Sequence, residues 1–311
     1  MRSWWQDLTD LVLPAECGGC GRPRAVLCAA CRTALGGAAP RRVRPVPEPA
    51  GLPPVHAAAR YADEARAALL AHKERGALAL SRPLGEALAG AVRAGLRAAR
   101  TEVSGTRGAP VAGAPDGHGP AGPRGAGSGP VLLVPVPSAR RAVRARGHDP
   151  ARRIAYAAAG ELRRTGVPAR VLPVLRQQRA VADQSGLGHR QRMANLAGAL
   201  TVAPGCGRLL RGGRVVLVDD LMTTGASLTE AARAVRAETG AGSSISGPAF
   251  VYLGETWEGR GEQRNEPAQQ RTRRRSGRPA GAVADTADGI TDVMCAAVVA
   301  ASPDAFEVHR N

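Results

Sequence analysis

The sequence predicts an α/β protein in which helices flank a parallel β-sheet, with a small cysteine-rich module before it. Short apolar runs rich in β-branched residues alternate with longer stretches in which alanine and leucine recur at helical spacing. Strands that alternate with helices form parallel sheets through right-handed crossovers. The chain of 311 residues is long enough for one large domain or two modest ones.

The predicted elements follow in chain order. A weak strand is expected over residues 55–61, and helices over 63–75 and 81–100 have alanine and leucine on one side. Since ligands bind beyond the carboxyl ends of parallel strands, the segments that follow the strands predicted at 131–136 and 215–218 are expected to share one rim. The remaining expected strands are 171–175, 245–253 and 293–300, and the remaining expected helices are 149–165 and 226–238.

Four cysteines near the N-terminus form two Cys-x-x-Cys pairs, Cys17 with Cys20 and Cys28 with Cys31. Each pair can place two thiolates on one side of a tight turn, and four thiolates satisfy tetrahedral Zn²⁺. The surrounding glycines allow the left-handed turns that such knuckles use. Two disulfides are the competing interpretation, disfavoured in a reducing compartment. A redox motif is disfavoured because no strand precedes either pair. The favoured interpretation is therefore a structural zinc site.

Two low-complexity stretches interrupt the predicted elements. Residues 101–130 are rich in glycine, proline and alanine without periodicity, so we expect a disordered insert. Residues 257–290 are polar and carry the basic run 271–278, which is typical of a solvated loop and could also touch nucleic acid. The predicted organisation is a zinc-ribbon-like module over 1–36, a main domain over 51–256, the basic insert 257–290, and a C-terminal core strand within 291–311.

The net charge is strongly positive, +17, and Lys73 is the only lysine. A positive field favours polyanions, including nucleic acid. A coding bias towards arginine would produce the same excess, so the charge alone does not establish DNA binding. No apolar run is long enough to cross a membrane, and no signal-peptide region is recognised. The expectation is a cytoplasmic protein without a membrane span.

The most informative segment is residues 214–227, in which an apolar run ends in two carboxylates, Asp219 and Asp220, followed by a Thr-Thr-Gly turn. An alanine-rich helical pattern begins at Ala226, and the free N–H groups of a helix N-terminus attract anions. A phosphate could therefore sit on the turn while the two acids face a sugar or a metal. Acids that bind only Mg²⁺, or a turn chosen for packing, are the simpler alternatives.

Residues 215–227 resemble, at every position, the phosphoribosyl pyrophosphate (PRPP) signature of type I phosphoribosyltransferases. The resemblance implies a type I phosphoribosyltransferase-like fold that binds PRPP with Mg²⁺. It also implies that Asp219 and Asp220 hold the ribose hydroxyls. The residues that it places around the 5′-phosphate are Thr223, Thr224, Gly225, Ala226 and Ser227.

A four-cysteine module ahead of such a domain resembles the ComF family, named for a competence protein involved in DNA uptake. The further matching residues are Tyr61 and Lys73 to Gly76, Val134 to Pro137, Arg146 and Gly147, and then Gln184, Leu187, Arg192, Asn195 and Gly198. One departure is visible, because His148 and Asp149 stand where the family usually has an aromatic residue and asparagine.

The resemblance also implies the rest of the site. The turn with Pro137, Ser138 and Arg140 corresponds to the pyrophosphate loop, and residues 176–192 correspond to a mobile flap. Arg192 or Arg190 of that flap would stabilise the departing charge, although Arg192 could equally form a structural ion pair. A solvated basic face is an equal alternative for the arginines near residue 140.

Three functions are compatible with these patterns. The first is an enzyme that transfers the phosphoribosyl group of PRPP to an unidentified acceptor. The second is a binding module that senses PRPP without turnover. The third is a competence factor whose zinc knuckle and arginine-rich surface contact DNA or a helicase-like partner.

Overall fold

A six-stranded sheet forms the centre of the computed structural model, which describes residues 16–106, 129–179, 188–240 and 295–307. Its strands are β1 (Arg41–Val43), β2 (Val55–Arg60), β3 (Val131–Pro135), β4 (Ala169–Val171), β7 (Arg214–Met222) and β8 (Cys295–Ala301). Their spatial order is β1-β2-β8-β7-β3-β4, and only the pairing of β1 with β2 is antiparallel. A separate antiparallel pair consists of β5 (Leu175–Gln177) and β6 (Leu200–Val202). The predicted α/β class with a mostly parallel sheet is confirmed.

Helices cover both faces of the sheet. They are α1 (Ala29–Gly36), α2 (Asp63–Glu74), α3 (Ser81–Thr106), α4 (Arg140–Arg146), α5 (Pro150–Arg164), α6 (His189–Leu196), α7 (Gly207–Leu210) and α8 (Ala226–Gly240). Helices α2, α3 and α5 pack on one face, where they share a core with Val216 and Val218 of β7. On the other face α8 packs against Val215 and Leu217. This division follows from the alternation of side chains along a strand.

The cysteine-rich segment is continuous with the first of these two cores. Cys17, Cys28, Cys31 and Leu35 are buried in one cluster with Leu80 and with residues of α3. On the solvent side, Arg32 of α1 pairs with Glu86 of α3 at 3.2 Å. The module and the sheet therefore share buried apolar surface.

The structure corrects several predicted boundaries. The strand predicted at 171–175 is wrong: the chain leaves the sheet after β4 and joins a different strand pair at Leu175. Helix α3 continues to Thr106, beyond the predicted end at residue 100 and into the segment predicted as a disordered insert. The apolar pattern also failed to predict helices α1, α4, α6 and α7 and strands β1 and β6. The strand predicted at 245–253 lies outside the described residues, as do 107–128 and the basic insert.

None of the described helices combines the length and apolar composition that a membrane crossing requires.

Candidate functional site

The four N-terminal cysteines lie together and could hold a metal ion such as zinc. Their sulfur atoms all lie within 4.8 Å of one another, and Cys20 Sγ is 3.6 Å from Cys28 Sγ. A tetrahedral site with Zn–S bonds of about 2.3 Å requires sulfurs about 3.8 Å apart. The structure joins none of the six cysteines in a disulfide.

Glycines allow the close approach of the two Cys-x-x-Cys turns. A Cβ added at Gly19 would lie 2.7 Å from Cys31 Sγ, and one added at Gly18 would lie 2.6 Å from Leu80 Cδ1. Helix α1 starts directly after Cys28, and Cys31 lies in its first turn. A helix N-terminus favours the thiolate form of nearby cysteines. These turns therefore bring the four thiols together beside the hydrophobic core that α2, α3 and α5 form on one face of the sheet.

The pKa values of these thiols are displaced in opposite directions. For Cys17, burial raises the pKa, but backbone N–H groups of Cys20, Cys28 and Gly19 outweigh it and lower the value to about 6. A backbone hydrogen bond at Cys31 lowers the pKa of Cys28. Burial, followed by the neighbouring sulfurs, raises the pKa of Cys31. Four thiols in one place thus cannot all ionise without a cation, which is the chemistry of a structural metal site.

The predicted acid pair lies within β7, at its carboxyl-terminal half. Asp220 is on the same face as Val216 and Val218, where α2 delivers Lys73, and Lys73 Nζ lies 3.2 Å from Asp220 Oδ2. Asp219 points to the opposite face, and its Oδ1 accepts the backbone N–H of Asp220 at 2.8 Å. The pair therefore reaches both sides of the strand just before the turn.

One ammonium does not balance the two carboxylates. Burial, followed by the negative charge of Asp220, raises the pKa of Asp219 well above its ordinary value, although Lys73 opposes the shift. Asp220 in turn raises the pKa of Lys73 and keeps it charged. With Lys73 as the one basic partner among the described residues, the two carboxyls have spare capacity to accept hydrogen bonds or to bind a cation.

The turn after β7 is shaped by Gly225 and leads straight into α8. Gly225 has φ +76°, and a Cβ there would lie 3.2 Å from Leu52 and 3.3 Å from Pro45 Cγ. The hydroxyl of Thr224 accepts a long hydrogen bond of 3.5 Å from the N–H of Ala226, at the start of α8. Thr223 is exposed and Ser227 is half-buried. Three hydroxyl residues thus adjoin the N-terminus of α8, and the free N–H groups of a helix N-terminus favour anions.

Helix α6 brings Arg192 to this turn. Arg192 Nη1 donates to Thr223 Oγ1 at 3.1 Å. Its Nε is buried and has no hydrogen-bond partner among the described residues. A guanidinium is thus already held at the turn, with one N–H left unsatisfied.

The turn with Pro137 and Ser138 lies on the neighbouring strand, at the same edge of the sheet. Val136 N donates to Val218 O at 2.9 Å, which sets this turn beside the acid pair. Ser138 donates from its backbone N–H and its hydroxyl to Asp149, at 3.2 and 3.4 Å. Arg140 donates to the carbonyl of Gln177 at 3.2 Å. A cavity of about 380 Å³ next to this turn is lined by arginines Arg140, Arg144, Arg152 and Arg176.

Most of the predicted site residues thus meet at one edge of the sheet. The acids, the turn 223–227 and Arg192 lie together, and the turn 137–140 lies at the end of the adjacent strand. Two contributors were missed as site residues, Lys73 and Asp149. The sequence did give a signal for Lys73, because it is the only lysine in a chain rich in arginine.

Comparison with models of protein families and with curated proteins gives no match for this chain.

Proposed function

We propose that the protein is a ComF-like phosphoribosyltransferase with a type I phosphoribosyltransferase fold. It binds PRPP together with Mg²⁺ and transfers the phosphoribosyl group to an acceptor base or amine. One observation carries this proposal. The negative charge of Asp219 and Asp220 is only partly balanced by a basic side chain, and a glycine turn at the N-terminus of α8 follows the two acids closely. The acid pair and the turn are only three residues apart in the sequence, between Asp220 and Thr223.

The phosphate end is supported by the turn. Free N–H groups in the first turn of α8 and hydroxyls of Thr223, Thr224 and Ser227 suit the 5′-phosphate. Gly225 keeps the backbone close to Leu52 and Pro45, where any larger residue would displace the turn. These features favour a dianion over a neutral ligand.

The pentose end is supported by the acids. Asp219 and Asp220 would accept hydrogen bonds from the ribose hydroxyls, and the ammonium of Lys73 lies 3.2 Å from Asp220 Oδ2. The raised pKa of Asp219 indicates a carboxyl that would gain from a nearby cation. The two acids would hold Mg²⁺ together with PRPP, and the ion would supply positive charge near the leaving group.

The chain's own arginines suit the leaving group. During transfer, the bond between C1 and the pyrophosphate oxygen breaks while the acceptor nitrogen forms a bond to C1. Arg192, whose guanidinium is held at the turn by Thr223, would donate to the departing oxygens from the flap side. Arg140 would donate from the side of Ser138. By the resemblance, a flap over residues 176–192 would exclude water, which would otherwise hydrolyse PRPP; residues 180–187 of that segment lie outside the described residues.

A PRPP sensor without turnover is the second candidate function. Among the described residues, no aromatic side chain lines the cavity beside Ser138, so a stacking platform for a nucleobase is lacking there. A sensor needs the acid pair and the phosphate turn but no acceptor site. For either function, cysteines that bind a metal instead of forming disulfides are typical of a cytoplasmic protein.

Release of pyrophosphate from PRPP, measured with Mg²⁺ and a panel of bases and amines, separates these functions. For an enzyme, one acceptor accelerates release, and Asp220→Asn abolishes the acceleration. The matched control is Glu102→Gln, which removes a carboxylate from a surface pair with Arg42 at the opposite edge of the sheet. PRPP binding without release for any acceptor identifies a sensor, and no PRPP binding at all refutes both.

A further inference from the structure

A cavity of about 450 Å³ lies between α1 and α3, and it shares no lining residue with the candidate site. We call it the α1–α3 groove. One wall comes from α1, from Arg32 onward, and from the turn that leads to Pro40. The other wall is one face of α3, because its residues recur at helical spacing. They are Pro83, Glu86, Ala87, Gly90, Arg93 and Arg97.

The buried residues that line the groove are small or aliphatic. Leu35 of α1, Ala58 of β2 and Ala87 of α3 are each less than 10% exposed. At the end of α1 the groove is open, since a Cβ added at Gly36 would meet no atom within 4 Å. An apolar group that entered between the two helices would therefore be shielded from water by apolar neighbours.

The charge of the groove is unbalanced. Three guanidinium groups, those of Arg32, Arg93 and Arg97, line it against the single carboxylate of Glu86. That carboxylate already has two partners, because Arg32 lies 3.2 Å from one of its oxygens and Arg82 lies 3.1 Å from the other. Glu86 therefore cannot also neutralise the arginines further along α3.

Those two arginines lack an acidic partner. Arg93 donates to the neutral hydroxyl of Thr165 at 3.1 Å, and no ion pair joins Arg93 or Arg97 to another described residue. The two arginines are one helical turn apart on α3, so carboxylates on a ligand could contact both. The groove thus combines apolar contact surface with unpaired positive charge, which favours an acidic ligand that also carries apolar groups.

The length of the groove favours a peptide. Arg97 follows Glu86 by eleven residues, which is about 16 Å along the axis of α3. One phosphate or one small dicarboxylate does not reach from end to end. About five residues of extended chain, or about eleven residues of helix, cover this distance.

A peptide also suits the groove better than a nucleic acid does. The last carbonyl groups of a helix have no partner within the helix, and α1 ends at the groove with Gly36. Peptide N–H groups can donate to such carbonyls, whereas the carbonyl end of a helix and Glu86 both disfavour phosphates. Among the described residues, no aromatic side chain lines the groove, so unpaired bases would have no stacking partner.

We propose that the α1–α3 groove binds an acidic peptide segment of a partner protein. Apolar side chains of the peptide pack against Leu35 and Ala87, and its carboxylates pair with Arg93 and Arg97. Because α1 belongs to the cysteine-rich segment and α3 to the main domain, the bound peptide contacts both parts of the chain. The inference does not depend on PRPP or on the proposed function.

An array of peptides of about twelve residues, long enough to span the groove, tests this proposal with the full-length, metal-loaded protein. The peptides contain glutamate and leucine in varied order, and matched peptides contain lysine in place of glutamate. The best binder is then labelled and titrated by fluorescence anisotropy. Arg97→Glu reverses one charge of the groove, and Gly36→Leu fills its open end. The matched control is Arg208→Glu, which changes an exposed arginine of α7, beside the core on the other face of the sheet.

We expect glutamate peptides to bind and their lysine counterparts to fail. Arg97→Glu and Gly36→Leu should each weaken binding at least about tenfold, and Arg208→Glu less than about twofold. Thermal unfolding confirms that each variant is folded before it is titrated. The proposal is overturned if no peptide binds the wild-type protein, if either folded groove variant retains full affinity, or if Arg208→Glu causes an equal loss. Displacement of the peptide by oligothymidylate, with the same sensitivity to Arg97→Glu, would assign the groove to nucleic acid instead.

Discussion

Two buried carboxylates that pair with basic side chains differ in how completely they are satisfied. The Glu230 side chain is 5% exposed and pairs with Arg233, and the Asp220 side chain is 9% exposed and pairs with Lys73. Glu230 receives two guanidinium hydrogen bonds of 2.7 Å and the Leu200 N–H at 3.0 Å, while Arg233 also donates to Leu200 O. Asp220 has a single ammonium contact that it must share with Asp219.

The pKa directions reflect this difference. Burial raises the pKa of Glu230, but the hydrogen bonds from Arg233 and from backbone N–H groups outweigh it and lower the value. For Asp219, burial and Asp220 prevail over Lys73, so the pKa is raised. We call the pair of Glu230 with Arg233 closed, because hydrogen bonds within the protein satisfy its carboxylate and connect β6 to α8. We call the pair of Asp219 with Asp220 open, because its carboxyls can still bind a ligand. The cysteine cluster resembles the acid pair, because burial raises the pKa of Cys31 as it raises that of Asp219, and neighbouring acidic groups add to both shifts.

Removal of the metal should reduce stability most strongly, because the four neighbouring cysteines need a bound cation to stabilise their thiolates. We expect about one zinc per chain and its loss in Cys31→Ser, since zinc binding to four thiolates contributes on the order of 10 kcal/mol. Elemental analysis and urea unfolding measure both quantities. Cys206→Ser, which alters a cysteine outside the cluster, should retain the metal. Equal zinc content in the two variants would contradict a four-cysteine site.

Breaking the closed pair should reduce stability next most strongly. Glu230→Gln keeps the size of the side chain but removes its charge, so the free energy of unfolding should fall by about 2 kcal/mol. The surface variant Glu102→Gln should lose no more than about 0.5 kcal/mol. Denaturant titration checks both values. Equal losses in the two variants would mean that burial does not distinguish the pairs.

Removing the cation from the acid pair should have a smaller effect. Lys73→Met leaves two carboxyls without a positive partner, and we expect a loss of about 1 kcal/mol at neutral pH, discounted for the partial exposure of the lysine. Lys73→Arg restores the charge and should restore most of the stability. The loss should vanish at low pH, where the carboxyls are protonated. A pH-independent loss would point to packing of the lysine stem instead.

The smallest change is expected for Asp219→Asn, and it should be stabilising. Because the folded protein raises the pKa of Asp219, ionisation of this group disfavours folding once the pH exceeds its ordinary pKa. Its neutral replacement should therefore add about 0.5–1 kcal/mol at pH 7 and nothing at low pH.

Glu230 should show the opposite sign. Its pKa is lowered in the folded protein, so its stabilising contribution is present at neutral pH and disappears as the pH falls through the carboxyl range. The measurement is the free energy of unfolding of Asp219→Asn and Glu230→Gln relative to wild type across pH 3–7. The same sign for both variants at pH 7 would remove the distinction between an open and a closed carboxylate.

The sequence was sufficient where local pattern determines structure. The apolar run 215–218, the glycine turn and the helix after it predicted the strand and turn around Asp219 and Asp220, although the strand continues through both acids to Met222. The Cys-x-x-Cys spacing predicted the cysteine cluster, because two short turns close together in the sequence hold their four thiols near one another.

Long-range contacts were not predictable from such patterns. The pairing of Lys73 with Asp220 depends on α2 lying over the same face as Val216 and Val218. The closed pair depends on α8 meeting β6, and β6 has only three residues, too few for a recognisable alternation. The strand predicted at 171–175 failed for a related reason, since one apolar run serves two separate strands.

The central claim is that the acid pair and the turn 223–227 form one site for PRPP. Isothermal titration of the metal-loaded protein with PRPP and Mg²⁺ tests it most directly, with Asp219→Asn/Asp220→Asn as the open-pair variant and Glu230→Gln as the closed-pair control. We predict saturable heat for wild type and for any folded Glu230→Gln protein, and none for the double variant. No heat from the wild-type protein, or equal affinity in the double variant, would contradict the account.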